Sequence, residues 1–232
     1  MNTTATSATV QKDDLQLLRA AFHIAFHIIA ISLVASREVS DEVIDQVLDI
    51  AWKAVVVAEI FMISGYRMSQ KCDNWYTKAF AWFHKYIARY LIRPKEYGKP
   101  TAMTTYVLGL VVIRLGLAVP VIECLYIMAI LSWGDPFARI GGIKIKGPYL
   151  PFRKKAKKTW AGFLTFFFVS TVVVVIQDVV LIDVGMLTLT TVPAIAQIVA
   201  VFAGAFAEAY APFADNFFIT LVAYGGYAVV MG

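Results

Sequence analysis

Apolar runs of roughly 17 to 25 residues, parted by short polar stretches, constrain this chain more than any other feature. That is the length a helix needs to cross a bilayer, and in hydrocarbon each backbone N–H and C=O must be satisfied within its own segment. The runs predict transmembrane helices over residues 15–35, 44–66, 102–117, 119–134, 158–178, 186–207 and 215–231. The third and fourth form a tight hairpin through Gly116 and Pro120. The expected fold is therefore all-α, a polytopic membrane protein of about seven transmembrane helices. A disordered polar N-terminus over 1–14 precedes a single membrane domain over 15–232, with no internal repeat. Composition agrees: 59% of the residues are hydrophobic and 16% charged, outside the usual range of a soluble domain.

The charge distribution orients these spans. Sixteen of the twenty-one Lys and Arg residues lie in segments 67–100 and 135–158, eight in each. Cytoplasmic loops carry such an excess. Segments 36–43 and 179–185 are acidic and face outward, which puts the N-terminus and both basic segments in the cytoplasm. Topology thus accounts for the net charge of +5, and no nucleic-acid partner is expected. Trp75, Trp82, Phe83, Tyr86 and Tyr90 interleave with Lys78, Lys85 and Arg89, the pattern of an interfacial amphipathic helix. Cys72 and Cys124 are the two cysteines, too few for a disulfide framework or a CxxC metal site.

Between the fourth and fifth predicted spans lies SWGDPFARIGGIKIKGPYLPFRKKAKKTWAG, residues 132–162. An isolated acid beside glycines and lysines suits a magnesium nucleotide: the acid for metal, flexible backbone for close approach, cations for phosphate oxygens. Asp135 before Pro136 is equally a helix cap with proline in the first turn, and Arg153 to Lys158 equally a positive-inside anchor.

Gly134-Asp135, the glycine pair Gly141-Gly142, Lys157-Lys158-Thr159 and Gly162 resemble the GD…KK(S/T)xxG core of the CTP-dependent lipid-alcohol kinases. That family comprises dolichol or polyprenol kinase, phytol kinase and CTP-type diacylglycerol kinase. Residues 93–101, RPKEYGKPT, look like its RxKExGKxTG segment. Glu208 and the pair Asp215-Asn216 match its acidic element and DN before the last helix, and Arg19 with His23 matches an N-terminal RKxxH spacing. The resemblance runs from about residue 16 to 230, with Ala20 in place of a lysine and Ala161 in place of a glutamate.

The resemblance implies a CTP-dependent kinase of a membrane lipid alcohol, with magnesium as cofactor and CTP as phosphate donor. Asp135, Glu208 and Asp215 would hold the metal, and Asp135, Asp215 and His23 would serve the chemistry. Arg19, Lys95, Lys99, Gly134, Lys157, Lys158 and Asn216 would bind nucleotide. All of these lie at predicted cytoplasmic helix ends. Glu59, inside the second span, is costly in hydrocarbon unless paired or facing a wet cavity, and is a candidate for binding the lipid hydroxyl. Arg114 and Glu123 flank the outer hairpin and are expected to pair. His27 follows Arg19 and His23 on one helical face, without further ligands for a metal. Two rivals stand beside the kinase: a cytidylyltransferase making a CDP-activated lipid, and a non-enzymatic lipid transporter. Motifs do not encode the lipid alcohol or the oligomeric state.

Overall fold

The computed structural model describes residues 20–88, 99–152, 158–188, 193–211 and 215–232. Among these residues the regular structure is eight helices, with one isolated bridge between Tyr149 and Thr159. They are α1 (Ala20–Ala35), α2 (Asp41–Ser69), α3 (Trp75–Phe83) and α4 (Ala102–Val111). There follow α5 (Val121–Lys144), α6 (Trp160–Asp183), α7 (Ala194–Tyr210) and α8 (Asp215–Met231). α3 runs on into a π-turn at His84–Ala88, and α4 into another at Val112–Gly116. Among the described residues, α5 and α6 are long and apolar enough to cross a membrane, and α1, α7 and α8 are shorter apolar helices, as is α4 with its π-turn.

Seven of the eight helices coincide with the predicted spans, and α3 with the amphipathic segment. Their ends differ where capping decides. Ser40, Asn74, Thr101 and Thr159 each accept a hydrogen bond from an amide in the first turn, starting α2, α3, α4 and α6. The span expected at 186–207 begins only at Ala194, after Pro193. The largest correction falls on α5, expected to end at residue 134. It continues to Lys144 with Pro136 inside it, so Asp135 is neither a cap nor a loop residue. Pro136 lacks the N–H that would bond the Ser132 carbonyl, yet packing on both sides carries the helix through. Gly141 and Gly142, predicted to lie in the link between two spans, are helical too.

α5 lies at the centre of the bundle. Leu125, Tyr126, Ile127, Ala129, Ile130 and Leu131 are all buried there. Its contact with α6 is the most extensive between any two described helices. Glycines permit that approach. A Cβ on Gly134 would stand 2.6 Å from Phe166 and Ser170, and one on Gly162 would stand 2.9 Å from the Ala138 carbonyl oxygen.

α3 packs on α2. Phe80 sits over Gly65, Tyr76 hydrogen-bonds Ser64, and the rings of Tyr76, Phe80 and Phe83 surround Phe61. Its apolar residues are thereby divided, with Trp75 and Trp82 left exposed.

Gly141→Val should destabilise the fold by about 1–3 kcal/mol, the usual range for overpacking, because its Cβ would stand 2.1 Å from the Thr165 hydroxyl. Gly225→Ala, with nothing within 4 Å of the added Cβ, should be neutral or stabilising. Thermal unfolding of the two solubilised variants beside wild type checks both.

Candidate functional site

One end of the bundle gathers the start of α4, the start of α6, the end of α7 and the start of α8. The link before α6 is fixed by two backbone bonds, Leu150 N–H to the Lys158 carbonyl at 2.9 Å and Trp160 N–H to the Pro148 carbonyl at 3.1 Å. Thr159 then caps α6, its hydroxyl taking the Gly162 amide at 3.2 Å. Lys158 is thereby set at the mouth of the bundle, where its ammonium donates to the carboxylate of Glu208 in the last turn of α7. The Glu208 side chain is only 10% exposed, so this is a largely desolvated pair.

A second cluster joins α2, α4 and α8. Glu59 is buried and accepts from the Thr101 amide and hydroxyl, both at 3.0 Å, and from the Thr104 hydroxyl. A carboxylate there meets the unsatisfied amides and positive end of α4. Glu59 therefore caps a helix start, the pairing that makes its burial tolerable. Asn216, also buried, donates to the Ala102 carbonyl at 2.9 Å, which ties the start of α8 to the same helix end.

Asp135 is partly buried in α5. Two residues before it, the adjacent-face residue Gly134 having been placed against α6, lies Trp133; three before it, Ser132 hydrogen-bonds Tyr106 of α4 at 3.1 Å. At about 100° per residue, Asp135 points between the α6-facing and α4-facing sides, on the arc where Leu131 is fully buried. His23 of α1 is buried, its ring 5.5 Å from that of Tyr106. Lys99 is exposed just before α4, and Gly134 serves helix packing. Arg19, Lys95 and Lys157 lie outside the described residues, as does the side chain of Asp215.

Among the described residues, no group of three His, Cys, Asp or Glu side chains is gathered to hold a metal ion. The ammonium on Glu208 already occupies the position of a counter-cation.

The opposite end corrects another expectation. Arg114 does not pair with Glu123; it reaches Asp45 with Nε at 2.6 Å and Nη2 at 3.1 Å, and Asp41 at 3.4 Å. It also donates to the Val119 carbonyl at 2.8 Å, closing the α4–α5 hairpin. A forked guanidinium can satisfy the Asp45 carboxylate of α2 and the Val119 carbonyl of the hairpin together.

Two buried polar groups inside the bundle were missed by sequence reasoning. Trp133 of α5 donates to His27 Nδ1 at 3.2 Å, and His27 Nε2 lies 2.9 Å from Gln177 Oε1 of α6. Asp178 accepts from Tyr126 at 2.7 Å and from Gln197 of α7 at 2.9 Å. The signal that could have found the second is Asp178 itself, a carboxylate inside an apolar run. No protein-family model matches the chain, and no curated protein or solved structure matches it.

Lys158→Met and Glu208→Gln should show a coupling energy of about 0.5–3 kcal/mol in a double-mutant cycle on unfolding stability, the range for contacting groups. Additive effects of the two substitutions would show that the pair is not formed.

Proposed function

We propose that this chain is a multi-pass membrane enzyme that transfers the γ-phosphate of CTP to the hydroxyl of a membrane lipid alcohol. The observation that carries the reading is the Lys158–Glu208 pair, a desolvated cation and carboxylate at the end of an apolar bundle, beside the helix starts of α4 and α8. In this reading α1, α2 and α4 to α8 are the seven spans, and α3 lies at the cytoplasmic surface.

The direction of the helices supports that topology. The later half of α2 meets the start of α4 through Glu59, while the start of α2 meets the end of α4 through Arg114, so these two run antiparallel. Asn216 places the start of α8 beside the start of α4, and Lys158 places the start of α6 beside the end of α7. Arg67 and Lys71 at the end of α2, Lys99 before α4, and Lys144, Lys146 and Lys158 between α5 and α6 then share one face, where CTP can reach them from the cytoplasm.

In the reaction, the hydroxyl oxygen of the lipid forms a bond to the γ-phosphorus as the bond to the bridging oxygen of CDP breaks. The hydroxyl proton passes to a carboxylate, for which Asp135 and Asp215 are the candidates. Lys158 leaves Glu208 to neutralise phosphate oxygens, and the amides at the start of α6 add partial positive charge beside it. Asp135, Glu208 and Asp215 would hold magnesium, which when bound supplies charge neutralisation at the phosphates. Asn216 and Glu59 act on the site by fixing where α8 and α4 begin. The resemblance to the CTP-dependent lipid-alcohol kinases supplies the nucleotide; polyprenol, dolichol, phytol and diacylglycerol all carry the required hydroxyl.

Purified protein with magnesium, γ-labelled CTP and a panel of these alcohols, with ATP run in parallel, tests the proposal. Label should enter one lipid with release of CDP, and Asp135→Asn should lower turnover at least about 100-fold. No labelled lipid from any alcohol, or full turnover in Asp135→Asn, would refute it. Pyrophosphate release from a lipid phosphate would instead select the cytidylyltransferase.

A further inference from the structure

A groove of about 610 Å³ runs between α1 and α6, with Trp133 and Phe137 of α5 in its lining. Its walls are apolar, and Ile28, Phe168, Val172 and Ile176 along it are exposed. Gln177, only 1% exposed, is part of the lining, and its side-chain amide nitrogen is a buried donor without a partner.

The direction of the relay behind Gln177 fixes what it lacks. The indole N–H of Trp133 can only donate, so His27 Nδ1 must accept from it. The neutral ring then carries its proton on Nε2 and donates to Gln177 Oε1, which leaves the Gln177 NH₂ group as the free end. The Gln177 NH₂ group is thus the donor of the relay left unused. A ligand bearing an acceptor completes the set, and an ester carbonyl joined to a hydrocarbon chain offers a strong one with no donor of its own to bury.

We infer that the groove between α1 and α6 binds an acyl chain of a glycerolipid, with its ester carbonyl accepting a hydrogen bond from Gln177. From Gln177 to Phe168 is nine residues of α6, about 14 Å of helix, so the slot follows a chain along much of one leaflet. Gln177 is six residues from the Asp183 end of α6, and seventeen from Trp160 at the Lys158 end, about 25 Å away. The lipid held here is therefore distinct from the alcohol that meets Lys158 and Glu208. The inference rests on the membrane-spanning part of the proposed function and not on phosphoryl transfer.

The test uses the full chain in nanodiscs of phosphatidylcholine that include a phosphatidylcholine with a photoreactive diazirine on its acyl chain. Labelled residues should concentrate in α1 around Ile28 to Ser32 and in α6 around Phe168 to Val180. Gln177→Leu should cut that labelling about fivefold, the effect of one hydrogen bond. Val172→Trp, filling the slot from an exposed position and leaving the relay intact, should abolish it. Unlabelled diacyl lipid should compete better than its dialkyl ether analogue or a long-chain alcohol. Uniform labelling of all exposed apolar faces, unchanged by Val172→Trp, would overturn the inference, and so would equal competition by the ether or the alcohol. A chain that does not enter nanodiscs would sink the membrane reading itself, which is a separate outcome.

Discussion

The close approach of α5 and α6 sets the rest of this fold. Gly134, Gly141 and Gly162 let the two backbones meet where larger side chains would hold them apart, and Phe166, Ser170 and Thr165 fill the spaces that the missing Cβ atoms leave. Contacts over such short distances gain dispersion energy from many atom pairs at once. Fixing α6 against α5 also fixes Thr159 and Lys158, because the link before α6 is bonded back to its own start. The position of a charged group at the mouth of the bundle thus follows from glycines one and two turns deeper in it.

Polar groups then set the ends. A buried carboxylate without partners would be expelled or neutralised, and Glu59 instead takes the orphan amide and hydroxyls at the start of α4. Arg114 does the corresponding work at the far end of α4, where it joins the α2 start to the hairpin carbonyl. A helix held by specific polar contacts at both ends has little freedom to slide against its neighbours. Its register in turn sets Tyr106 against Ser132 and brings the α4 start to Asn216.

The helices themselves were legible because apolar runs of this length have few other uses. Helix ends were less so. Nothing local in residues 135–144 announces a continued helix, since Asp-Pro and Gly-Gly both favour turns; only burial of that segment against α6 decides it. Arg114 was recognised as needing a partner, but a sequence gives no geometry, and Asp45 lies sixty-nine positions away. Glu59 was flagged by its cost in an apolar setting, although nothing in the sequence pairs it with Thr101 and Thr104, forty-two and forty-five positions away. The relay of Trp133, His27 and Gln177 was the least visible part, because its members sit on three different helices and each is unremarkable alone.

The Lys158–Glu208 pair has a consequence for the proposed chemistry. Each member supplies the other's counter-charge where little water reaches, the Glu208 side chain being 10% exposed and that of Lys158 24%. Entry of a phosphate and a divalent cation would offer each member a new partner of the appropriate sign, so the exchange replaces one set of charge contacts with another and leaves neither group exposed to hydrocarbon. Breaking a buried pair is costly when one member is left alone. A site that exchanges both partners together avoids that cost, which favours binding of nucleotide and metal as a unit over either one alone.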